Sequence, residues 1–171
     1  MAPEIDEVSR RLVIERAGRR CEYCLINEES AGFPHQIDHI VSRKHGGSSG
    51  IGNLAYACVL CNRYKGTDVA SLDSSGQPVR FFDPRRDIWD EHFKLNGPVI
   101  QPQTLEGEVT ARVLRLNAAE RVIERQLLQS LGHYQQRLNA DPPFLKPTKL
   151  DKQNLRTQPL PFWLASLSTS K

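Results

Sequence analysis

Apolar residues recur at helical spacing in some stretches of the chain and alternate with polar residues in others. Over residues 3–18, Ile5, Val8 and Leu12 return every three to four positions, which predicts a helix with those three on its buried stripe. Glu4, Asp6 and Glu7 lie in its first turn, where the helix dipole favours negative charge. Gly18 is the stop, among Arg16, Arg19 and Arg20. Residues 35–41 alternate instead: His35, Ile37, His39 and Val41 share one face, and Gln36, Asp38 and Ile40 the other. That is the period of a short strand. Residues 42–52 carry Gly46, Gly47 and Gly50 with Ser48 and Ser49, a flexible loop. Residues 54–58 predict a second strand, and residues 58–65 a helix stopped by Gly66.

Further on, residues 68–78 read as loop and residues 79–82 as strand. Residues 87–93 predict a helical turn with Trp89 and Phe93 four apart, and residues 93–100 a hairpin turning at Asn96-Gly97. Two helices follow, over residues 105–116 with Val109, Val113 and Leu116 on one face, and over residues 118–131 with Ile123, Leu127 and Leu131 spaced by four. Asn117 is the expected cap of the second, and both are expected to pack over the preceding strands. Beyond Gly132 the pattern fades among Pro142, Pro143, Pro147, Pro159 and Pro161, with six Lys or Arg against two Asp. This predicts an irregular, basic tail that Phe144, Phe162 and Trp163 anchor to the chain or to a partner. The expectation is an α+β chain in three parts: residues 1–67, a helix and a compact core; residues 68–132, accessory strands and helices; and residues 133–171, the Pro-rich tail.

Composition adjusts this picture in two ways. The 171 residues are 39% apolar with a mean hydropathy of −0.49, so part of the chain is extended or solvated. The net charge of +3 suits a polyanionic partner without being a nucleic-acid signature in itself. No apolar run reaches the ~18 residues of a membrane span. The acidic N-terminus lacks the apolar core of a secretory signal, so the predicted location is cytoplasmic. In that reducing setting, two C-x2-C pairs separated by 33 residues favour a metal over disulfides. Cys21, Cys24, Cys58 and Cys61 predict a structural Zn²⁺ with four sulfurs and no open position. Zinc of this kind does not choose between an enzyme and a binding module.

Between the thiol pairs stand Asp38, His39 and Asn53, with Asn62 just after the last cysteine. Singly, each has an ordinary explanation. Together, Ile37-Asp38-His39-Ile40-Val41, Gly52-Asn53-Leu54 and Cys58-x-x-Cys61-Asn62-x-x-Lys65 resemble the HNH endonucleases, which share the ββα-metal fold. The resemblance covers residues 20–66, with a weaker likeness to small stand-alone bacterial members through Phe82-Asp83-Pro84-Arg85. The last motif position, commonly His, is Asn62, an H-N-N variant like phage junction-resolving enzymes with four zinc-binding cysteines.

The resemblance implies that His39 is the general base and that Asn53 pins the loop that orients it. It implies that Asp38 and Asn62 hold one Mg²⁺ or Mn²⁺, and that the partner is DNA. With a single anionic ligand, this cation should bind weakly without substrate. Lys65, Arg43, Lys44 and His45 are candidate phosphate contacts, and His35 either lines the site or is structural. The alternatives are a zinc-stabilised nucleic-acid-binding module without cleavage, and a partner-binding protein led by its tail. Duplex, branched and single-stranded DNA all stay open. The paired helices after Leu105 serve either as core or as the seam of a homodimer.

Overall fold

Two antiparallel strands and the helix that follows them form the centre of the structure. The computed structural model describes residues 5–134; the tail residues Phe144, Phe162 and Trp163 lie outside them. Strand β1 (Gln36–His39) pairs with β2 (Leu54–Ala57), Gln36 opposite Ala57 and His39 opposite Leu54. Helix α2 (Val59–Lys65) leaves directly from β2, its N-cap Cys58 accepting from the Cys61 amide. The expected α+β class and its strand–strand–helix core are thus present. The loop between the strands is more ordered than its glycines suggested, with one 3-10 turn at Arg43–His45 and another at Ile51–Asn53.

All four residues of β2 are buried, because the hairpin is covered on both faces. Helix α1 (Glu7–Ala17) covers one of them, capped by Asp6 at its start and by Gly18 at φ +57° at its end. Its predicted stripe is rotated. Val8 and Leu12 face solvent, while Val13 and Ala17 pack on Leu54 and Tyr56, flanked by Ile5, Ile14 and Ile37. The physical reason is a polar anchor on that face. Arg16 donates to the carbonyls of Leu54 (2.8 Å) and Ile51 (3.0 Å) and pairs with buried Glu22, which fixes the roll of the helix.

The second half begins with a hairpin where residues 68–78 were expected to be loop. Strand β3 (Ala70–Leu72) pairs with β4 (Pro78–Arg80), and the Asp73 carboxylate closes the turn by accepting from the amides of Ser75 and Gln77. Helix α3 (Trp89–His92) leads into β5 (Phe93–Asn96) and β6 (Val99–Pro102). Asn96 pairs with Val99, so the turn is Gly97-Pro98 rather than Asn96-Gly97. Gly97 at φ +55° supplies the positive φ of a type II′-like first position, and Pro98 falls where no ladder N–H is needed.

Helices α4 (Leu105–Val113) and α5 (Ala119–Ser130) are separate, with Arg115 at φ +50° between them. Asn117 does not cap α5. Its amide instead bridges both backbone groups of Ile100, at 2.9 and 2.7 Å. Helix α5 also inverts the expected amphipathicity. Ile123, Leu127 and Leu131 are 66%, 60% and 57% exposed, while Arg121, Arg125 and Leu128 are buried. Both arginines are drawn inward by fixed acceptors. Arg125 donates to the Pro98 carbonyl and to Asn117 Oδ1, and Arg121 to the Leu114 carbonyl and to sulfur. The larger core joins Phe81, Phe82, Trp89, Phe93, Ile100, Val109, Leu114 and Leu116 to the thiol knuckle.

Candidate functional site

The four cysteines converge as their spacing predicts. All four are buried, and their Sγ atoms lie within 4.8 Å of one another. Cys24 Sγ and Cys58 Sγ are 3.7 Å apart. A tetrahedral Zn²⁺ with bonds of about 2.3 Å needs sulfur–sulfur edges of about 3.8 Å, so this donor set fits zinc. Each knuckle is shaped by its own backbone: the Cys24 amide points at Cys21 Sγ (3.5 Å) and the Cys61 amide at Cys58 Sγ (3.4 Å). Among the described residues no other group of three or more His, Cys, Asp or Glu side chains has this arrangement.

Sequence reasoning missed the group that balances the charge of the cluster. Arg121, fully buried, donates to Cys61 Sγ at 3.1 Å and reaches Cys58 Sγ at 3.8 Å. Burial opposes its charge, but the negative charge on Cys61, Cys24 and Cys58 overcomes it and holds the guanidinium above its usual range. Four thiolates around one Zn²⁺ carry two net negative charges, and a buried cation at this distance offsets part of that. Hydrogen bonds from Cys21, Cys58 and Cys61 hold the Cys24 thiol well below its usual range, while burial pushes Cys21 and Cys61 well up.

The hairpin and α2 position the remaining candidates along one seam. The alternation read from the sequence holds: Ile37 packs toward α1, and Asp38 turns toward α2. Asp38 is 4% exposed, and both its oxygens are engaged. Lys65 Nζ lies 3.2 Å from Oδ1 and 3.1 Å from Oδ2, and the Tyr23 hydroxyl donates to Oδ2 at 2.8 Å. Burial pushes the Asp38 carboxyl up, against the opposing pull of Lys65 and Tyr23. Asn62, one turn before Lys65 on α2, donates to Gln36 Oε1 at 2.5 Å, two positions before Asp38 on β1. Lys65, a candidate phosphate contact in the sequence, is 2% exposed and also donates to the His39 carbonyl at 2.9 Å.

His39 ends β1 with its ring on the loop side, partly exposed, with Nε2 3.1 Å from Ser49 Oγ. Burial lowers its pKa from the usual imidazole value, against Asp38, and the charges of Arg43 and Lys65 lower it further. Asn53 ties the same loop at three points. Its Nδ2 donates to the carbonyls of Val41 (2.9 Å) and Ser48 (2.8 Å), and its Oδ1 accepts from the Val41 amide (2.9 Å). Gly47 lets the strands of this loop close up, since a Cβ there would overlap the Val41 carbonyl. Arg43, Lys44 and His45 all sit exposed on the 3-10 turn that follows β1. His35 lies away from this group, buried, with Nε2 2.9 Å from the Ile26 carbonyl and its ring against Tyr56.

No helix among the described residues is long and apolar enough to cross a membrane. No curated protein and no solved structure matches the chain. A family model described as HNH endonuclease matches residues 21–68, the segment that holds the four thiols, both hairpin strands, the Asn53-tied loop and α2, so the HNH likeness rests on this segment of the chain.

Proposed function

We propose that the protein is a metal-dependent endonuclease that hydrolyses DNA phosphodiester bonds, with His39 as general base. The observation that carries this reading is the partly exposed His39 imidazole, kept below its usual pKa and standing where Asn53 fixes the adjoining loop. A base that is neutral at neutral pH and partly open to solvent can take a proton from water. Ser49 at Nε2 restrains the ring, and the exposed turn of Arg43, Lys44 and His45 presents positive charge to a phosphate backbone beside it.

Asp38 and Asn62 offer hard oxygen donors of the kind Mg²⁺ and Mn²⁺ prefer. A cation held there would supply charge stabilisation on the scissile phosphate and the leaving 3′-oxygen. The products of this chemistry are 5′-phosphate and 3′-hydroxyl ends. The zinc cluster is structural, since four sulfurs leave no open position.

The second reading, a zinc-stabilised nucleic-acid-binding module, is favoured by one observation: both oxygens of Asp38 are already engaged. Incubating the zinc-loaded protein with supercoiled, linear, branched and single-stranded DNA, with Mg²⁺, Mn²⁺ or chelator, separates the two. Metal-dependent cleavage of any substrate supports the nuclease. Retarded migration of DNA without cleavage under every cation supports the binding module.

A further inference from the structure

The Asp38 carboxylate already has a cation. Lys65 Nζ donates to Oδ1 at 3.2 Å, lies 3.1 Å from Oδ2, and donates to the His39 carbonyl at 2.9 Å. The ammonium therefore donates to the carboxylate and to the carbonyl, and both members of the ion pair are buried. A divalent ion bound to Asp38 would lie within about 4 Å of that ammonium, where like charges in a poorly solvated seam repel strongly. The two cations therefore compete for one carboxylate. Lys65 is also the last residue of α2, followed by Gly66 at φ +54°, so its side chain can leave the seam without opening the helix interior.

We infer that Lys65 is a built-in competitor for the catalytic cation: it neutralises Asp38 in the resting protein, and cation entry at Asp38 requires Nζ to withdraw. The inference rests on the nuclease reading, which assigns Asp38 as a cation ligand. An anionic phosphodiester is the natural acceptor for the displaced ammonium, so bound DNA favours cation entry. Cation affinity is consequently low in the free protein and higher with DNA bound.

The test is Mn²⁺ titration of the zinc-loaded, full-length protein without DNA, read by electron paramagnetic resonance. Lys65→Met should bind Mn²⁺ at least about tenfold more tightly than the parent, because the opposing charge is gone. Adding Asp38→Asn to that variant should abolish the gain. A folded, zinc-loaded Lys65→Met that binds Mn²⁺ no more tightly than the parent overturns the inference.

Removing one partner of a buried pair can unfold a protein, so a second measurement uses the parent alone. The ¹⁵N signal of the Lys65 ammonium, assigned by its loss in Lys65→Arg, should shift when Mg²⁺ is added to the DNA-bound parent at the concentration that supports cleavage. A signal that stays unmoved there overturns the competitor and leaves His39-dependent cleavage untouched. If the parent cleaves nothing, the nuclease reading fails instead, and the Mn²⁺ comparison still decides the role of Lys65.

Discussion

Arg121 Nη2 lies 3.1 Å from Cys61 Sγ, although the two residues are 60 positions apart in the chain. Helix α5 is thereby tied to the metal cluster of the hairpin core, and its roll is set by that contact rather than by its leucines.

Replacing Arg121 should loosen the metal. Arg121→Met keeps most of the buried volume but leaves the thiolates without their cationic partner. Loss of such an outer partner costs about 10–100-fold in metal affinity. The measurement is the rate of zinc transfer to a chromophoric chelator, expected to rise in Arg121→Met and to be partly restored in Arg121→Lys.

Loss of a ligand should be more severe. Cys58 is both a cluster member and the N-cap of α2, so Cys58→Ser removes a sulfur from the tetrahedron at the point where β2 becomes helix. A unit this small gains much of its stability from the ion. The variant, like the parent after chelation, should lose its cooperative thermal transition.

The Asn53 tie should affect chemistry more than folding. Asn53→Ala removes three hydrogen bonds at a partly exposed site, which is worth about 1–3 kcal/mol of stability. Zinc content should be unchanged, while cleavage falls by about tenfold or more because the loop beside His39 is no longer fixed. Gly47→Ala should reproduce this loss of cleavage, since its added methyl would meet the Val41 carbonyl that Asn53 holds. Circular dichroism and zinc content, measured beside cleavage, separate these effects.

The pH profile should carry the mark of the environment of His39. Its folded pKa is lowered, chiefly by burial, so the neutral, base-competent form persists below the ordinary imidazole value of about 6.5. The acidic limb of the cleavage rate should therefore have its midpoint below about 6.5, and the rate should fall as pH drops through it. The stability linkage has the same sign. The unfolded state binds the proton more readily, so the contribution of His39 is present above pH ~6.5 and is lost as pH falls through the folded pKa.

What the sequence revealed follows from how local each signal is. The C-x2-C pairs needed only spacing, and the split between Ile37 and Asp38 needed only strand alternation; both are met. The end of α1 at Gly18 and of α2 at Gly66 is likewise a property of a few adjacent residues. What failed depended on distant partners. The roll of α1 is set by Arg16 reaching Leu54 and Glu22, and that of α5 by Arg121 and Arg125. Asn117 reads as a cap because its neighbour begins a helix, but Ile100, 17 positions earlier, claims its amide. At the site, Lys65 reads as a candidate phosphate contact because nothing in the sequence places it against Asp38, 27 positions before it. Tyr23 was hidden in the same way between two cysteines.

The central claim, that His39 acts as a base in phosphodiester hydrolysis, is tested most directly by the initial rate at which supercoiled plasmid is cut by zinc-loaded parent and His39→Ala under Mg²⁺ or Mn²⁺. The account predicts a fall of about 10² or more, with circular dichroism and zinc content unchanged. Equal rates for the two proteins would contradict it.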